Sequence, residues 1–276
     1  MTPVTDGSNA DGPPALPSDY FARPSPARMW NYLQGGKDNY PLDRRAGEIM
    51  AASYPDIFYL ARQCRLFLAR AVRLVASEGG VRQFLDLGCG LPAPPDLFDL
   101  HLVAQRVHKD SRVVYLDNDK AVLAHARALM TSSTDEGVCV YVESDARKID
   151  YVLNEARQTL DFDRPICVVL FGLLGAIGLD EAMALVARLR DEVAGGSYFM
   201  VNDSVQLGDE MVRAQERRRE TGIDNYTLRT PEQFAAYFEG LELVDPGIVP
   251  CTLWRPGLSL DRPRPVDSYG GVGRKP

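Results

Sequence analysis

The chain has 276 residues, of which 45% are hydrophobic, and its formal net charge of −7 gives an isoelectric point near 5.1. This length is enough to bury the core of one α/β domain and leaves room for an additional helical segment or tail. The acidic balance argues against a general affinity for nucleic-acid phosphates or anionic membranes, so we expect a small molecule or a protein as partner.

Signals for export, membrane insertion and metal binding are weak in this sequence. No apolar run approaches the roughly 20 residues of a membrane span, and the N-terminus lacks the basic and apolar regions of a signal peptide. We therefore expect a cytoplasmic protein. The five cysteines are odd in number and widely spaced, the chain has three histidines, and no Cys-x-x-Cys occurs. Reduced core thiols are expected, and no metal site is predicted.

The N-terminal part divides into a leader and helices. Residues 1–19 are rich in Pro, Gly, Asp, Ser and Ala, which predicts a disordered leader. Ser25-Pro26 is typical of a helix start, and this short helix should stop at Gly35-Gly36. The following residues, through Tyr40, form either a solvated turn between helices or a functional loop. A longer helix with apolar residues at helical spacing then leads into the first strand.

A glycine turn follows that first strand. The apolar run through Phe84 and Leu87 ends in Gly88-Cys89-Gly90, where the backbone can approach a ligand closely, and Asp86 lies just before the turn. Gly-x-Gly after a strand is also common in plain tight turns, so both interpretations stay open. The third glycine of a dinucleotide fingerprint is absent, which disfavours a nicotinamide dehydrogenase. Asp96 is the expected N-cap of the next helix.

Acidic residues follow the second and third strands. Residues 112–116 form a strand that ends at Asp117, where a β-α-β nucleotide site needs an acceptor for ribose hydroxyls. Asp119 is the expected N-cap of the next helix, so a structural role explains it. Residues 138–142 form the third strand. Asp145 beyond it either recognises an adenine amino group or caps the helix near Ile149.

The alternation of strands and helices predicts a parallel sheet with helices on both faces. The fourth strand, residues 166–171, is continuously apolar, and residues 197–201 form the fifth. Ligands in such sheets lie beyond the carboxyl ends of the strands. The residues predicted at those ends are Asp86, Gly88, Asp117, Asp145, Phe171 and Asn202. Their convergence is the main argument for a cofactor site.

The C-terminal part is expected to finish the sheet. Thr230-Pro231 begins a capping box with Gln233, which predicts a short helix. Residues 241–244 and 248–254 are predicted as two strands in a hairpin, which gives the sheet an antiparallel edge. The Pro, Arg and Gly content beyond Pro256 predicts a loosely held tail over residues 257–276.

These motifs together resemble an actinobacterial S-adenosylmethionine-dependent methyltransferase family long catalogued as a domain of unknown function. The resemblance covers about residues 20–256 and rests on the segments 23–28, 32–40 (Tyr-Leu-Gln-Gly-Gly-Lys-Asp-Asn-Tyr), 84–92, 113–119, 241–247 and 254–256. It implies an α/β fold, the Rossmann-like parallel sheet of class I methyltransferases with an antiparallel C-terminal edge and helices on both faces. It also implies an N-terminal helical cap over residues 20–78, a cofactor-binding domain over residues 79–256, and S-adenosylmethionine as the cofactor.

The resemblance assigns roles to individual residues. Gly88 and Gly90 would admit the methionine end of the cofactor, and Asp86 would order its amino group. Asp117 would hold the ribose. The residues implied around the adenine and at the end of the fourth strand are Asn118, Asp145, Ala146 and Phe171. The residues implied in a cap over cofactor and substrate are Tyr32, Lys37, Asn39 and Tyr40.

The sequence also departs from the family pattern. The segment from Pro94 to Leu100 is lengthened, and Gly175 stands where the family often has a histidine. Methyl transfer needs positioning more than a strong base, but if a base is used, the candidates are Tyr40, His101 and Asp203.

Three functions remain open. The first is methylation of a small-molecule acceptor. The second is another use of S-adenosylmethionine, such as aminocarboxypropyl transfer or cyclisation, for which the altered segment after the fourth strand leaves room. The third is a non-catalytic regulatory protein that binds the cofactor.

Overall fold

A computed structural model describes residues 22–223, 226–257 and 263–276. Within these ranges an eight-stranded sheet has the order β3-β2-β1-β4-β5-β8-β6, and β7 pairs with β8. Strands β1 to β5 are parallel, and β8 runs antiparallel to its neighbours. The strands are β1 Gln83–Leu87, β2 Arg112–Asp117, β3 Val138–Glu143, β4 Cys167–Phe171, β5 Tyr198–Ser204, β6 Glu242–Leu243, β7 Val249–Pro250 and β8 Ser268–Arg274.

Helices cover both faces of this sheet. They are α1 Pro26–Leu33, α2 Pro41–Ser53, α3 Ile57–Ser77, α4 Leu100–Val107, α5 Lys120–Leu129, α6 Ile149–Ala156, α7 Leu179–Glu192, α8 Asp209–Arg219 and α9 Pro231–Ala236, with short 3-10 turns at Leu174–Ala176 and Cys251–Leu253. The predicted fold class is confirmed, including the antiparallel C-terminal edge. None of the helices in the described ranges is long and apolar enough to cross a membrane.

Side-chain alternation along the strands divides the core in two. Phe84 of β1 belongs to a buried cluster with residues of α1 to α5 and α8 on one face, whereas Leu85 belongs to a second cluster with residues of α6, α7 and α9 on the other. The same alternation places Asp86 on the face of Phe84 and places Asp203 on the opposite face, with Phe199 and Val201. The two carboxylates therefore belong to different layers at the same end of the sheet.

We use the name cap for the N-terminal helices α1 and α2 together with the start of α3. Met29, Leu33, Ala46 and Met50 of the cap belong to the same buried cluster as Phe84 of the sheet. The sequence did not indicate α2, which follows the turn of residues 35–40 and begins at a proline. The predicted leader, residues 1–19, lies outside the described residues.

Two boundaries near the glycine turn differ from the prediction. Helix α4 begins at Leu100 with Asp99 as its N-cap, so the prediction that Asp96 caps this helix is wrong. The carboxylate of Asp96 forms an exposed ion pair with Arg62, and the amide of Leu97 donates to the Pro94 carbonyl in a turn. The two prolines at positions 94 and 95 favour this turn over an earlier helix start.

The C-terminal segment differs most from the prediction. Ser268–Arg274, expected in a loose tail, forms β8 between β5 and β6. The predicted hairpin is also wrong, because β6 and β7 each pair with β8 and not with each other. The glycines of β8 gave it no apolar pattern from which a strand could be predicted. They are required by packing, because a Cβ at Gly270 would stand 2.4 Å from the ring of Phe67 and one at Gly271 would stand 2.8 Å from Phe238. Large aromatic side chains fill the space that β8 leaves empty.

Candidate active site

The glycine turn after β1 forms an open backbone cradle. Gly88 and Gly90 have φ values of +78° and +66°, a region that favours glycine. The amides of Gly88 and Cys89 donate to the Leu116 carbonyl at 2.8 and 3.0 Å, which ties the turn to β2. A Cβ at Gly90 would meet no described atom within 4 Å, whereas one at Gly88 would stand 3.4 Å from the side chain of Leu173.

Asp86, two residues before Gly88, is a buried carboxylate. No residue of the described ranges donates a hydrogen bond to it, and burial raises its pKa to about 7. The charges of Asp117 and Asp99 raise this pKa further, while Arg65 lowers it. A carboxylate in this setting gains from a ligand that brings hydrogen-bond donors or positive charge.

Asp117 at the end of β2 faces the same turn. Its Oδ2 accepts from the Gly90 amide at 2.9 Å, and its Oδ1 accepts from the Asp119 amide at 3.0 Å. Burial raises the pKa of Asp117, and these amide hydrogen bonds oppose the shift. Asp119 is the N-cap of α5 as predicted, since it accepts from the Ala121 amide at 2.9 Å. The structure thus brings Asp86, Gly90 and Asp117 together.

Arg65 on α3 holds the lengthened segment that follows the glycine turn. It donates to the Leu91 carbonyl at 2.9 Å and lies 3.7 Å from a carboxylate oxygen of Asp99. The same oxygen of Asp99 accepts from the Ala93 amide at 3.0 Å. The sequence analysis did not identify Arg65, because its helix is separated from this segment by the whole of β1.

The residues expected around an adenine are only partly engaged. Asp145 pairs with the guanidinium of Arg147, which lowers the pKa of this carboxyl, and it also accepts from the Arg147 amide at 2.9 Å. It does not cap α6, whose N-cap is Lys148, so that alternative is wrong. Asn118 is exposed and Ala146 is buried. Phe171 stacks on Phe67 with ring centroids 5.3 Å apart.

The cap loop is a hydrogen-bonded turn rather than an open one. Asn31 accepts from the Asp38 amide and from the side chain of Asn39, each at 3.0 Å. Arg44 donates to Asn39 at 2.9 Å. These contacts explain Asn39 as a structural residue of the cap.

The other three cap residues of the prediction lie nearer the surface. The hydroxyl of Tyr32 donates to Glu48 at 3.3 Å, Lys37 is exposed, and Tyr40 is exposed with Arg28 beside its ring. The described contacts do not join them to Asp86 or Asp117. The N-terminal segment instead contacts the end of β2 through Ser25, whose hydroxyl donates to a carboxylate oxygen of Asp119 at 3.3 Å.

His101 is held inside the structure. Its ring Nδ1 and its backbone amide both lie 2.9 Å from the Tyr115 hydroxyl, and its ring also bonds the Thr131 backbone. Burial lowers its pKa. These contacts hold the buried ring in place, and the role of His101 as a base stays a prediction.

Asp203 is buried near the end of β5 and accepts hydrogen bonds from the Tyr226 hydroxyl and the Gly175 amide. Burial raises its pKa to about 6, and those hydrogen bonds and the charge of Arg229 oppose the shift. The sequence analysis missed Tyr226, because no local pattern connects it with Gly175 or Asp203.

Metal and disulfide chemistry find no support in the described ranges. No group of three or more His, Cys, Asp or Glu side chains there could hold a metal ion. All five cysteines are free thiols.

Comparison with known proteins identifies the family. Residues 19–276 match the family of S-adenosyl methyltransferases. The chain belongs to this family. A DUF574 family protein from Streptomyces avermitilis MA-4680 is 36% identical, with a TM-score of 0.86 over 93% of this chain and 99% of that chain. A protein from Thermobifida fusca YX is also 36% identical, with a TM-score of 0.84 over 94% of this chain and 97% of that chain.

More distant structures share the fold. The mitomycin 7-O-methyltransferase MmcR aligns with a TM-score of 0.51 at 16% identity, over 90% of this chain and 71% of that chain, and this likeness shows the fold alone. No curated protein matches the sequence.

Family membership confirms the resemblance stated from the motifs. This S-adenosyl methyltransferase is an enzyme that uses S-adenosylmethionine as its cofactor and transfers its methyl group. The residues of the glycine turn fit that cofactor. The backbone at Gly90 leaves space at the carboxyl ends of β1 and β2, and the carboxylate of Asp86 has the charge needed to bind a positively charged amino group.

Proposed function

We propose that the protein methylates a small-molecule acceptor, with the cofactor seated on the glycine turn between Asp86 and Asp117. The observation that carries the seating is the buried carboxylate of Asp86, which receives no hydrogen bond from the described residues and precedes the glycine turn, where a Cβ at Gly90 would meet no described atom within 4 Å. The order β2-β1-β4 also makes this the topological switch point of the sheet, where ligands of open α/β sheets bind.

Each residue of the turn has a distinct task in this proposal. S-adenosylmethionine supplies a methyl group on a positively charged sulfonium. Asp86 binds the amino group of its methionine end, and the backbone at Gly88 and Gly90 admits that end without steric conflict. Asp117, already fixed by the Gly90 amide, accepts hydrogen bonds from the ribose hydroxyls. Asn118, Ala146 and Asp145 frame the adenine, which requires Asp145 to share its carboxylate with Arg147.

The acidic net charge of the protein and the position of the cap both support a small-molecule acceptor. The protein is acidic overall, which disfavours polyanionic substrates. Helices α1 and α2 pack against α3 and α8 and share a buried cluster with the sheet, and Ser25 contacts Asp119 beside the proposed ribose position. A cap in this place excludes water and limits the size of the acceptor. We also infer an actinobacterial origin, in keeping with the organisms of the two similar structures, and we propose a cytoplasmic location.

Calorimetric titration with S-adenosylmethionine and S-adenosylhomocysteine tests the site. We expect both to bind, and expect Asp117→Ala and Gly88→Val to weaken binding by about tenfold or more. Two matched controls lie at the opposite end of the sheet. Gly80→Val changes a glycine of φ +66° with no described atom within 4 Å of its Cβ, and Asp110→Ala removes an exposed carboxylate. Equal losses in the variants and in the controls would contradict the assignment.

The transferred group and the acceptor need a second experiment. The protein is incubated with methyl-labelled S-adenosylmethionine and a protein-free small-molecule extract of a Streptomyces culture, chosen from the organism of one similar structure. We expect label in small molecules and S-adenosylhomocysteine as the coproduct. Methylthioadenosine as the coproduct would indicate transfer of the aminocarboxypropyl arm. Cofactor binding with no turnover would favour a binding protein.

A further inference from the structure

Tyr226 lies at the carboxyl end of the sheet in a position that the cofactor site does not explain. Its ring rests on Gly175, in the turn after β4, where an added Cβ would stand 2.4 Å from Cζ of the tyrosine. The Thr227 amide donates to the Gly175 carbonyl at 2.7 Å and fixes the two segments together. Gly175 therefore makes room for Tyr226, which explains why this turn has no larger residue.

A buried carboxylate anchors the Tyr226 phenol. The hydroxyl donates to Oδ1 of Asp203, and the Gly175 amide donates to Oδ2 at 3.0 Å. The Ser204 amide donates to the phenol oxygen at 3.3 Å. A hydroxyl oxygen has two acceptor lone pairs, so the contacts with described residues leave one of them for a further donor. Tyr226 as a whole residue is half-buried and Asp203 is buried, and burial of the phenol is the main cause of its raised pKa.

This pair lies beside the proposed cofactor seat. Leu173, in the same turn as Gly175, packs its side chain 3.4 Å from where a Cβ of Gly88 would stand. Asp203 follows Asn202, which is paired with Phe171, the last residue of β4. The pair therefore occupies the carboxyl ends of β4 and β5, next to the glycine turn and on the side away from Asp117. An acceptor that approaches the methyl end of the cofactor would enter here.

The charges around the pair keep the proton on the phenol. Burial and the carboxylate of Asp203 raise the pKa of Tyr226 well above its usual value. Burial raises the pKa of Asp203 to about 6, so its carboxylate is charged at neutral pH. The other charged or titratable groups that act on the pair are Arg229, Arg218, Tyr237 and Cys64. A neutral phenol that donates to a carboxylate presents its oxygen as an acceptor.

We propose that Tyr226 receives a hydroxyl group of the methyl acceptor, and that the acceptor is a small apolar molecule carrying that hydroxyl. The proposal rests on the proposed function. The apolar body of the acceptor would pack against Leu173 and the Tyr226 ring. As methylation proceeds, the acceptor O–H bond breaks and its proton moves to the Tyr226 oxygen, while the Tyr226 proton moves to Asp203. The freed pair on the acceptor oxygen forms the bond to the methyl carbon, and the pair of the broken S–C bond stays on sulfur.

The test uses 4-nitrophenol as the hydroxyl probe, because its absorbance distinguishes phenol from phenolate. The full-length protein is saturated with S-adenosylhomocysteine and titrated with the probe at pH 7 and pH 8.5, where Asp203 is mostly charged. We expect the phenol form to bind preferentially, since the charge of Asp203 disfavours the phenolate. Tyr226→Phe and Gly175→Ala should weaken binding by about fivefold or more, because one removes the acceptor oxygen and the other displaces the ring. Asp203→Asn should reduce the preference for the phenol form.

Tyr237→Phe is the matched control. It removes a buried hydroxyl that bonds Arg229 at 3.1 Å near the same carboxylate, and it should leave probe affinity within about twofold. Affinity for S-adenosylhomocysteine should stay within about threefold in every variant, which shows that the fold and the cofactor seat are intact.

Two outcomes overturn the proposal while the cofactor seat stands. One is probe binding by Tyr226→Phe within about twofold of the unaltered protein, and the other is no saturable probe binding up to about 5 mM. If the unaltered protein binds no S-adenosylhomocysteine, the proposed function fails, and this inference fails with it.

Discussion

At the scale of single residues, Asp86 shows how one side chain links stability to cofactor binding. Burial raises its pKa to about 7, so the folded chain retains a proton that the unfolded chain releases near the ordinary carboxyl pKa of 3.8. The folded state therefore binds more protons between these values, and its stability falls as the pH rises from about 4 to about 7. The site keeps a destabilising carboxylate in the place where a cationic ligand would bind.

Replacing this carboxyl should stabilise the ligand-free protein. A shift of about three pKa units corresponds to about 4 kcal/mol, so we expect Asp86→Asn to raise the free energy of unfolding at pH 8 by up to about that amount. The gain should shrink to less than about 1 kcal/mol at pH 4 and vanish only near pH 3, where Asp86 is mostly protonated in both states. Urea unfolding at pH 4, 6 and 8 measures this difference. A variant that is less stable at pH 8 would show that Asp86 has a partner in the folded chain.

The same pKa predicts proton release on binding. At pH 6 the Asp86 carboxyl is mostly protonated, and a cationic amino group favours the charged form. Binding of S-adenosylhomocysteine should therefore release up to about one proton, and affinity should increase as the pH rises to about 7. Titration calorimetry in two buffers of different ionisation enthalpy measures the released proton. Release of the same size in Asp86→Asn would assign it to another group, with Asp117 the first to examine.

At the scale of elements, β8 depends on the absence of side chains. An added Cβ at Gly270 would stand 2.4 Å from the ring of Phe67, which is itself stacked on Phe171 and packed against Trp254. Overpacking of this kind costs about 1–3 kcal/mol, so Gly270→Ala should lower the free energy of unfolding by that amount. Gly257→Ala is the control, because a Cβ there meets no described atom within 4 Å. Equal stability of the two variants in urea unfolding would contradict this account.

The elements that sequence could predict are those whose signal is local. Strand β4 is a continuous apolar run, β1 has three apolar residues before the glycine turn, and the capping box at Thr230 is complete within four residues. In contrast, β8 has the sequence Ser-Tyr-Gly-Gly-Val-Gly-Arg, and Phe67, which fills the space beside it, is distant in the chain. Glycine-rich strands have weak propensity, so tertiary packing alone identifies this one.

The candidate site divides in the same way. The strand ends at Asp86, Gly88 and Asp117 were predictable because β-α-β units place them at one edge. Arg65 and Tyr226 were not, because each acts through a contact with a segment far away in the sequence. Asn39 was predicted to face the ligand, but an amide side chain is equally suited to close a turn, and its hydrogen bonds do so.

The cap has its own structural anchor in the ion pair of Arg28 and Asp43. The two groups meet at 2.8 Å, and the Asp43 carboxylate also accepts from the amides of Ser25 and Tyr40, each at 2.8 Å. Both side chains are buried, so Arg28→Met leaves a buried carboxylate without its counter-ion and should cost about 3–5 kcal/mol. Arg82→Met breaks an exposed pair with Asp110 and should cost less than about 1 kcal/mol.

Thermal or urea unfolding of Arg28→Met and Arg82→Met measures the free energy of unfolding that each variant loses. Because Ser25 reaches Asp119, we also expect Arg28→Met to weaken binding of S-adenosylhomocysteine, whereas Arg82→Met should not. A loss of stability without any loss of affinity would show that the cap does not help to form the cofactor seat.

At the scale of the whole molecule, the cap and the sheet share one core. Met29, Leu33 and Met50 of the cap lie in the same cluster of buried side chains as Phe84 and Trp254. A cap joined to the sheet through a continuous core should not unfold separately, because its removal would expose the apolar surface of both. This predicts a single cooperative unfolding transition, in which the cap and the sheet unfold together.

The two tryptophans allow this to be measured, because Trp30 lies in α1 and Trp254 packs against Phe67 of α3 at 5.3 Å. In Trp254→Phe the fluorescence reports the cap alone, and in Trp30→Phe it reports the sheet side. Within each variant we expect fluorescence and far-ultraviolet circular dichroism to change at the same temperature. S-adenosylhomocysteine at 100 times its dissociation constant should stabilise the folded state by about 2.7 kcal/mol. The midpoint temperatures of both signals should therefore rise together. If the Trp30 signal changed about 5 °C or more below the dichroism, the cap would be a separate unit that opens while the sheet stays folded.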